Sequence, residues 1–211
     1  MSCPVRTPGS EVEALWRMAL YLRRQASERK GDVSIPPMWF FTDPVRTPDP
    51  ASVAALLPPG SGLVYRAFGR PEAREEALRL VEIARARGLC LLIGRDAELA
   101  ERVGADGVHL PERRIPDARD LCRFKPSWLI TGAVHDVSAL RRAENAGCDA
   151  VFISSVFPSN SLSAGRPMGP FRLAALARRT ALPVFALGGV HATSARRLIG
   201  SSGVAAVEAF I

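Results

Sequence analysis

The sequence has little lysine, and it has no long apolar run. Lys30 and Lys125 are the only lysines, so arginine carries nearly all of the positive charge in this chain of 211 residues, whose formal net charge is +7. The arginines are spread along helix-like segments without interleaved aromatic side chains, which argues against a nucleic-acid interface. No stretch approaches the roughly 18 apolar residues of a membrane helix. We therefore expect neither a nucleic-acid partner nor a membrane partner, although the charge suits a phosphorylated small molecule.

Cysteine is also scarce, and its spacing excludes the commonest metal sites. The four cysteines contain no CxxC pair, so reduced core or near-surface thiols are the simplest interpretation for Cys3, Cys90, Cys122 and Cys148. The N-terminus lacks the basic stretch and apolar core of a signal peptide. We therefore expect a cytoplasmic protein without a metal cluster.

Short apolar runs alternate with helix-like segments from residue 38 onward. Eight runs are apolar on both faces, as is typical of parallel strands covered by helices: 38–42, 62–67, 89–93, 106–110, 127–132, 149–154, 183–188 and 204–208. Helix-like segments lie between them near 50–57, 71–87, 95–103, 116–123, 136–146, 170–180 and 191–200. This alternation predicts an α/β protein with a (β/α)8 TIM barrel. A Rossmann-type sheet is the structural alternative, but no GxGxxG follows the first strand.

An additional amphipathic helix is predicted at residues 11–30, before the barrel. Five apolar residues recur there at helical spacing after the capping candidate Ser10: Val12, Leu15, Trp16, Ala19 and Leu22. It could lie on a membrane surface, but packing on the protein's own core is the better interpretation. The sequence ends at Ile211, directly after the eighth strand, so the prediction has no final outer helix. We expect the N-terminal helix to fill that gap, with an extension over 1–37 and a barrel domain over 38–211.

A phosphate site is predicted where the seventh strand ends. Active sites of TIM barrels lie at the carboxyl ends of the strands. Gly188 and Gly189 follow the seventh strand there and precede a helix start near Thr193. Glycine lets the backbone approach an anion closely, and a helix N-terminus offers N–H donors. A simple tight turn is the alternative. Ser159 and Ser161, after the sixth strand, are further candidate phosphate ligands, although loop serines are usually only solvated.

Three histidines and one arginine are the other candidate site residues. His135 follows the fifth strand, where a ring that exchanges protons near neutral pH suits general acid/base catalysis; capping is the alternative. His109 lies within the fourth strand and either faces the barrel mouth as a substrate contact or packs inside. His191 favours helix capping. Arg66 ends the second strand and needs an anionic partner, which is either a substrate group or an internal carboxylate.

Several segments together resemble the thiamine-phosphate synthase/TenI family. They are GADGVHLPE (104–112), TGAVHDVSALRRAENAGCDAVFISSVFPSNS (131–161), LPVFALGGV (182–190) and GVAAVEAFI (203–211). The resemblance implies a barrel, a role in thiamine biosynthesis, and a small phosphorylated thiazole ligand at Gly188-Gly189 and the end of the eighth strand. It leaves a homo-oligomer open.

The chain departs from the synthase pattern of that family at the pyrophosphate end. Synthases join a pyrimidine pyrophosphate to a thiazole phosphate with Mg²⁺. Here Phe68 and Leu162 stand where the family has lysines, and Gly94-Arg95 stands where it has Asn and a metal-binding Asp. Arg114 takes the place of a second metal Asp. Since arginine repels Mg²⁺, this pattern predicts no metal site.

The remaining motifs are similar to the TenI branch, which implies a thiazole tautomerase that moves a proton without a metal. His135 is then the general acid/base, and Arg66 or Arg95 holds the substrate carboxylate. Glu208 stands where the family often has a phosphate-binding Ser, so it should point outward or pair with an arginine. The alternatives are a divergent synthase, which would need Mg²⁺, and a barrel that binds a phosphorylated ligand without catalysis. Under the favoured interpretation we expect no cofactor.

Overall fold

Eight parallel strands close into a barrel. The computed structural model describes residues 8–30, 34–161 and 165–210. The strands are β1 (Met38–Phe41), β2 (Gly62–Tyr65), β3 (Cys90–Gly94), β4 (Gly107–Leu110), β5 (Leu129–Val134), β6 (Ala150–Ile153), β7 (Val184–Ala186) and β8 (Gly203–Ala206). They are ordered as in the sequence, and β8 pairs with β1. The predicted (β/α)8 barrel is therefore confirmed.

Helices connect the strands along the outside. They are α1 (Pro8–Lys30), α2 (Pro50–Ala54), α3 (Ala73–Arg87), α4 (Ala97–Val103), α5 (Ala118–Phe124), α6 (Val137–Ala146), α7 (Gly169–Ala177), α8 (Ala192–Ala195) and the 3-10 helices η1 (Glu112–Asp117) and η2 (Glu208–Phe210). The carboxylates of Asp96 and Asp136 accept the backbone N–H groups that begin α4 and α6. Gly88, Gly104 and Gly147 end α3, α4 and α6 in the left-handed conformation, which costs glycine little. None of the described helices is long and apolar enough to cross a membrane.

The barrel interior is filled by aromatic side chains and is therefore a packed core. The rings of Trp39, Phe41, Phe152 and Phe185 are buried and meet mostly edge to face. The ring of His109 joins this layer, with its centroid 5.1 Å from that of Phe41 and 5.3 Å from that of Phe152. The larger core lies between the strands and the outer helices.

Helix α1 covers the seam at which the barrel closes. It packs against β1, β8, η2 and α8. Leu15 and Ala19 are fully buried in the same apolar core as the outer faces of the strands. The predicted groove for this helix is therefore confirmed, and within the described residues only the short η2 follows β8. The division into 1–37 and 38–211 stays a prediction.

Helix α8 is a single turn, shorter than the predicted 191–200. His191 is its N-cap residue, as the sequence indicates. Gly200 takes a left-handed φ of 77°, and the backbone N–H of Ser202 then donates to the Val184 carbonyl over 2.6 Å. Directly after Ala195 the hydrogen bonds are those of turns, since the Arg197 N–H donates to the Ser194 carbonyl and the Leu198 N–H donates to the Ala195 carbonyl, each over 3.0 Å.

We expect truncation of Leu15 to destabilise the whole barrel. Leu15→Ala removes a fully buried side chain, which should lower the free energy of unfolding by about 2–5 kcal/mol. Leu56→Ala is the matched control, because that side chain is 66% exposed and its truncation should change stability by no more than about 0.5 kcal/mol. Urea denaturation measures both variants. An equally small loss of unfolding free energy in both variants would contradict a stabilising role for the packing of α1.

We expect His109 to remain neutral in the folded protein down to low pH. Burial, with a contribution from the charge of Arg66, lowers the pKa of His109 from 6.5 to about 3. Because the unfolded chain binds the proton first, folded-state stability should fall as pH falls from about 6.5 towards 3. Urea denaturation at about pH 7.5 and about pH 5 measures this loss, which should be smaller in His109→Gln. An NMR titration of the folded ring near pH 6.5 would refute the expectation.

Candidate functional site at the carboxyl end of the barrel

Candidate site residues follow five of the strands and lie at one rim of the barrel. Since all strands are parallel, their carboxyl ends lie at the same edge. Asp43 follows β1, Arg66 follows β2, His135 follows β5, Gly188 follows β7 and Glu208 follows β8. This rim is the part of the fold where the predicted site residues can act on one ligand.

The Gly188-Gly189 turn requires glycine at both positions. The backbone φ angles are 90° and 62°, in the region that favours glycine. A Cβ at Gly189 would lie 2.2 Å from the carbonyl oxygen of Pro158, and one at Gly188 would lie 2.5 Å from Oγ of Ser155. The Phe157 backbone N–H donates to the Gly188 carbonyl over 2.9 Å. Close packing on the loop after β6 therefore explains both glycines without reference to a ligand.

The same turn nevertheless offers two donors. Within the residues that the structure describes, no protein acceptor is assigned to the backbone N–H groups of Gly188 and Gly189. The start of α8 is different. The His191 N–H donates to Oγ of Ser194 over 3.0 Å, and the Ala192 N–H donates to Oε1 of Glu11 over 2.6 Å. An anion at this turn would therefore meet the glycine N–H groups rather than those that begin α8.

His135 is held at the rim with one ring nitrogen fixed. Its Nδ1 lies 2.5 Å from the carbonyl oxygen of Ser154, so Nδ1 carries the hydrogen and donates. Its Nε2 lies 4.0 Å from Oε2 of Glu112. Glu112 is oriented in turn by Nη2 of Arg142, 2.7 Å from Oε1. The His135 side chain is 53% exposed. This arrangement suits a group that accepts and returns a proton.

Arg66 is enclosed beside β1 and has an incomplete set of acceptors. Its Nε donates to the Thr42 carbonyl over 2.6 Å, and its guanidinium lies over the rings of Phe41 and Phe68 at 5.6 and 5.2 Å. Nη2 is buried without a hydrogen-bond partner and lies 3.7 Å from Oδ2 of Asp43. Burial lowers the pKa of Arg66 to about 10, so the side chain is still a cation at neutral pH. An anionic ligand group could supply the missing acceptor.

His109 lies beneath this rim, inside the barrel. Its ring is 7% exposed, and its Nδ1 lies 3.0 Å from Oγ1 of Thr131. Of the two positions that the sequence left open, the structure gives the packed one. Its role as a substrate contact stays a prediction.

An ion-pair cluster at the closing seam was missed by the sequence reasoning. Nη2 of Arg46 lies 2.8 Å from Oδ2 of Asp43, and Nη1 lies 3.3 Å from Oε1 of Glu208. Burial alone would raise the pKa of Asp43, but the hydrogen bonds and charge of Arg46 outweigh it and lower that pKa to about 2. Glu208 therefore pairs with an arginine, which is one of the two alternatives that we expected from the sequence; the other was an outward-pointing side chain. Only the barrel closure, which makes the first and last strands neighbours, could have indicated this contact.

The expected positions of the metal carboxylates do not fit Mg²⁺. Arg95 has a left-handed φ of 70° and an exposed side chain, whereas the neighbouring Asp96 uses its carboxylate to cap α4. Arg114 pairs with Asp117 on η1. Across residues 8–30, 34–161 and 165–210, no group of three or more His, Cys, Asp or Glu side chains could hold a metal. Magnesium prefers carboxylate oxygen ligands, so these residues do not form such a site.

The serine loop is placed only in part. Ser159 and Ser161 follow β6, and the Ser161 backbone N–H lies 3.3 Å from Oγ of Ser159. Leu162, which replaces a family lysine, lies outside the described residues. The two serines stay predicted phosphate ligands, and Arg95 likewise stays a predicted substrate contact.

A groove lies outside the barrel, along the contact of α1 with α8. Its volume is about 680 Å³, and it is lined by residues that include Glu11, Met18, Tyr21, Ala192 and Arg196. These side chains belong to the outer helices, whereas the histidine, the arginines and the glycine turn lie at the rim. We therefore assign the site to the rim.

Comparison with known proteins places the chain in a family. A family model described as "Thiamine monophosphate synthase" matches residues 43–210. A thiamine-phosphate synthase of Thiobacillus denitrificans is 33% identical over 172 residues, which cover 75% of this chain and 78% of the relative. One from Chlorobium luteolum is 31% identical over 133 residues, which cover 62% of this chain and only 63% of the relative.

A solved structure supports the same architecture. The thiamine phosphate pyrophosphorylase of Pyrococcus furiosus superposes with a TM-score of 0.72 at 24% identity, and the match covers 82% of this chain and 87% of the other. At this identity the likeness concerns the fold. Together with the family match over residues 43–210, which include β2 to β8, it bears out the resemblance of the sequence motifs. The chain belongs to the thiamine monophosphate synthase/TenI family.

Proposed function

We propose that this protein acts in thiamine biosynthesis by moving a proton on a thiazole phosphate without a metal, as a thiazole tautomerase does. The observation that carries the proposal is the arrangement of His135. Its Nδ1 is fixed by the Ser154 carbonyl at 2.5 Å, and its half-exposed side chain follows β5 at the rim, with Nε2 4.0 Å from Oε2 of Glu112. The relatives are named as thiamine-phosphate synthases, so synthase activity is the alternative that the experiment must exclude.

The fixed ring supports a proton-transfer role for His135. Because Nδ1–H donates to a carbonyl, the lone pair of the neutral ring is at Nε2 and can accept a proton from a carbon of the non-aromatic thiazole. The resulting imidazolium returns a proton to a second carbon, so the reaction is an isomerisation in which atoms and charge balance. The Glu112 carboxylate, 4.0 Å from Nε2, stabilises the charged ring while it holds that proton.

The remaining rim groups suit the two ends of such a substrate. The N–H groups of Gly188 and Gly189, which have no acceptor among the described residues, can bind its phosphate, to which Ser159 and Ser161 add hydroxyl donors. Arg66, with a buried Nη2 that lacks an acceptor, can bind its carboxylate. Arg95 is the other candidate for this contact.

The altered metal positions support proton transfer over the synthase reaction. Arg95 and Arg114 stand where the synthase pattern has metal carboxylates. Cations at these positions would oppose the binding of Mg²⁺. The proposed reaction needs only the acid/base group and the two anion contacts.

We expect His135→Asn to abolish most of the proton-transfer activity. Loss of the acid/base group should lower kcat by about 10²–10⁴-fold with little change in substrate affinity. Thiazole aromatisation followed by ultraviolet absorbance measures this rate, and a chelator should leave the wild-type rate unchanged. His191→Asn is the matched control, because that exposed ring caps α8 and should not be needed.

The same preparation distinguishes the alternatives. Formation of thiamine phosphate from the pyrimidine pyrophosphate and the thiazole phosphate, dependent on Mg²⁺, would establish the divergent synthase and reject the proposal. Binding of the thiazole phosphate with neither reaction would leave a non-catalytic barrel. An equal loss of rate in the His135 and His191 variants would also contradict the assigned role.

A further inference from the structure

The contact between Arg46 and Glu208 lies beside the glycine turn. Arg46 is in the loop after β1, and Glu208 begins η2, directly after β8. Strand β8 pairs with β1 on one side and with β7 on the other. The Gly188-Gly189 turn, which follows β7, therefore neighbours the end of β8 at the same edge of the barrel.

The two carboxylates that Arg46 contacts are held unequally. Asp43 lies 2.8 Å from Nη2, and both side chains of this pair are 19% exposed. Glu208 lies 3.3 Å from Nη1 and is 43% exposed. A half-exposed ion pair is weakly held because water competes for both charges. Asp43 therefore fixes the guanidinium, whereas the contact with Glu208 can be exchanged.

Arg46 is also positioned to serve a ligand once that exchange occurs. Asp43 and the backbone of its own loop orient the side chain: Oδ1 of Asp43 accepts the Arg46 backbone N–H over 3.0 Å. With Nη2 occupied by Asp43, Nη1 is the donor that faces β8. A doubly charged phosphate is a stronger acceptor for a guanidinium than a single carboxylate. It also cannot share the position with Glu208 without repulsion.

We propose that Arg46 is a phosphate-binding residue of this site, and that the Glu208 carboxylate occupies its guanidinium until a phosphate monoester displaces it. The exchange selects doubly charged ligands, because a neutral alcohol of the same heterocycle cannot replace the Glu208 charge. This inference rests on the proposed function only for the identity of the heterocycle that carries the phosphate. The phosphate contact itself can be measured without turnover.

Titration with inorganic phosphate tests the exchange. Glu208→Gln removes the competing charge and should tighten phosphate binding by about tenfold, whereas Arg46→Gln removes a charge-assisted donor and should weaken binding by about tenfold or more. NMR shifts of the Gly188 and Gly189 amides report the site of binding. Arg46→Lys should restore part of the affinity.

Matched controls separate the contact from net charge. Glu98→Gln and Arg102→Gln make the same charge changes in an exposed ion pair on α4, with side chains 74% and 60% exposed, and should leave phosphate affinity unchanged. Tighter phosphate binding in Glu208→Gln but not in Glu98→Gln supports the proposal. If Arg46→Gln does not fold, this comparison alone decides.

Three results overturn the proposal. The first is unchanged or weaker phosphate binding in Glu208→Gln, and the second is an equal change in Glu98→Gln. The third is the absence of phosphate binding at the glycine amides in both wild type and Glu208→Gln. The two hypotheses can fail separately. If the protein has no tautomerase activity but its Glu208→Gln variant binds phosphate more tightly, the proposed function is wrong and this inference is still supported.

Discussion

Pairing of β8 with β1 is the constraint on which the rim depends. Met38 aligns with Val204 and Phe40 with Ala206, and the seam is tight. A Cβ at Gly203 would lie 2.1 Å from the carbonyl oxygen of Pro37. Because this register is fixed, the loop after β1 must meet the segment after β8. The contact of Arg46 with Glu208, 162 positions apart in sequence, follows from closure.

The seam also determines where charge is available at the rim. Asp43 contacts both Arg46 and Arg66, and Glu208 completes a set of two guanidinium groups and two carboxylates. The set is neutral, although the whole chain carries a formal charge of +7. Net charge would therefore not explain the proposed anion binding at this edge. Local geometry would, because it leaves Nη2 of Arg66 without an acceptor and pairs Nη1 of Arg46 with the 43% exposed carboxylate of Glu208.

The sequence predicted the features that depend on local pattern, such as the strands. It did not predict the contacts that form only when the barrel closes. Runs that are apolar on both faces identified all eight strands, and their carboxyl ends placed His135 and Gly188 correctly at the rim. Glu112 was missed because only the folded chain brings it near His135. The short α8 was missed because its segment continues an acceptable helical pattern, whereas the folded backbone changes to turns after Ala195. The two glycines were predicted as phosphate ligands, which stays a prediction, whereas the structure shows that packing on the loop after β6 requires them.

Helix α1 links the stability of this barrel to the position of the proposed anion site. The helix buries Leu15 at the seam, and through Glu11 it also takes the Ala192 N–H at the start of α8. A carboxylate already bound at that helix start disfavours a second anion there, since like charges repel. The donors left at this turn are the N–H groups of Gly188 and Gly189, on the side towards β8. An anion bound there would lie next to the segment that carries Glu208, so the helix that completes the core would also favour the position beside the Arg46 contact.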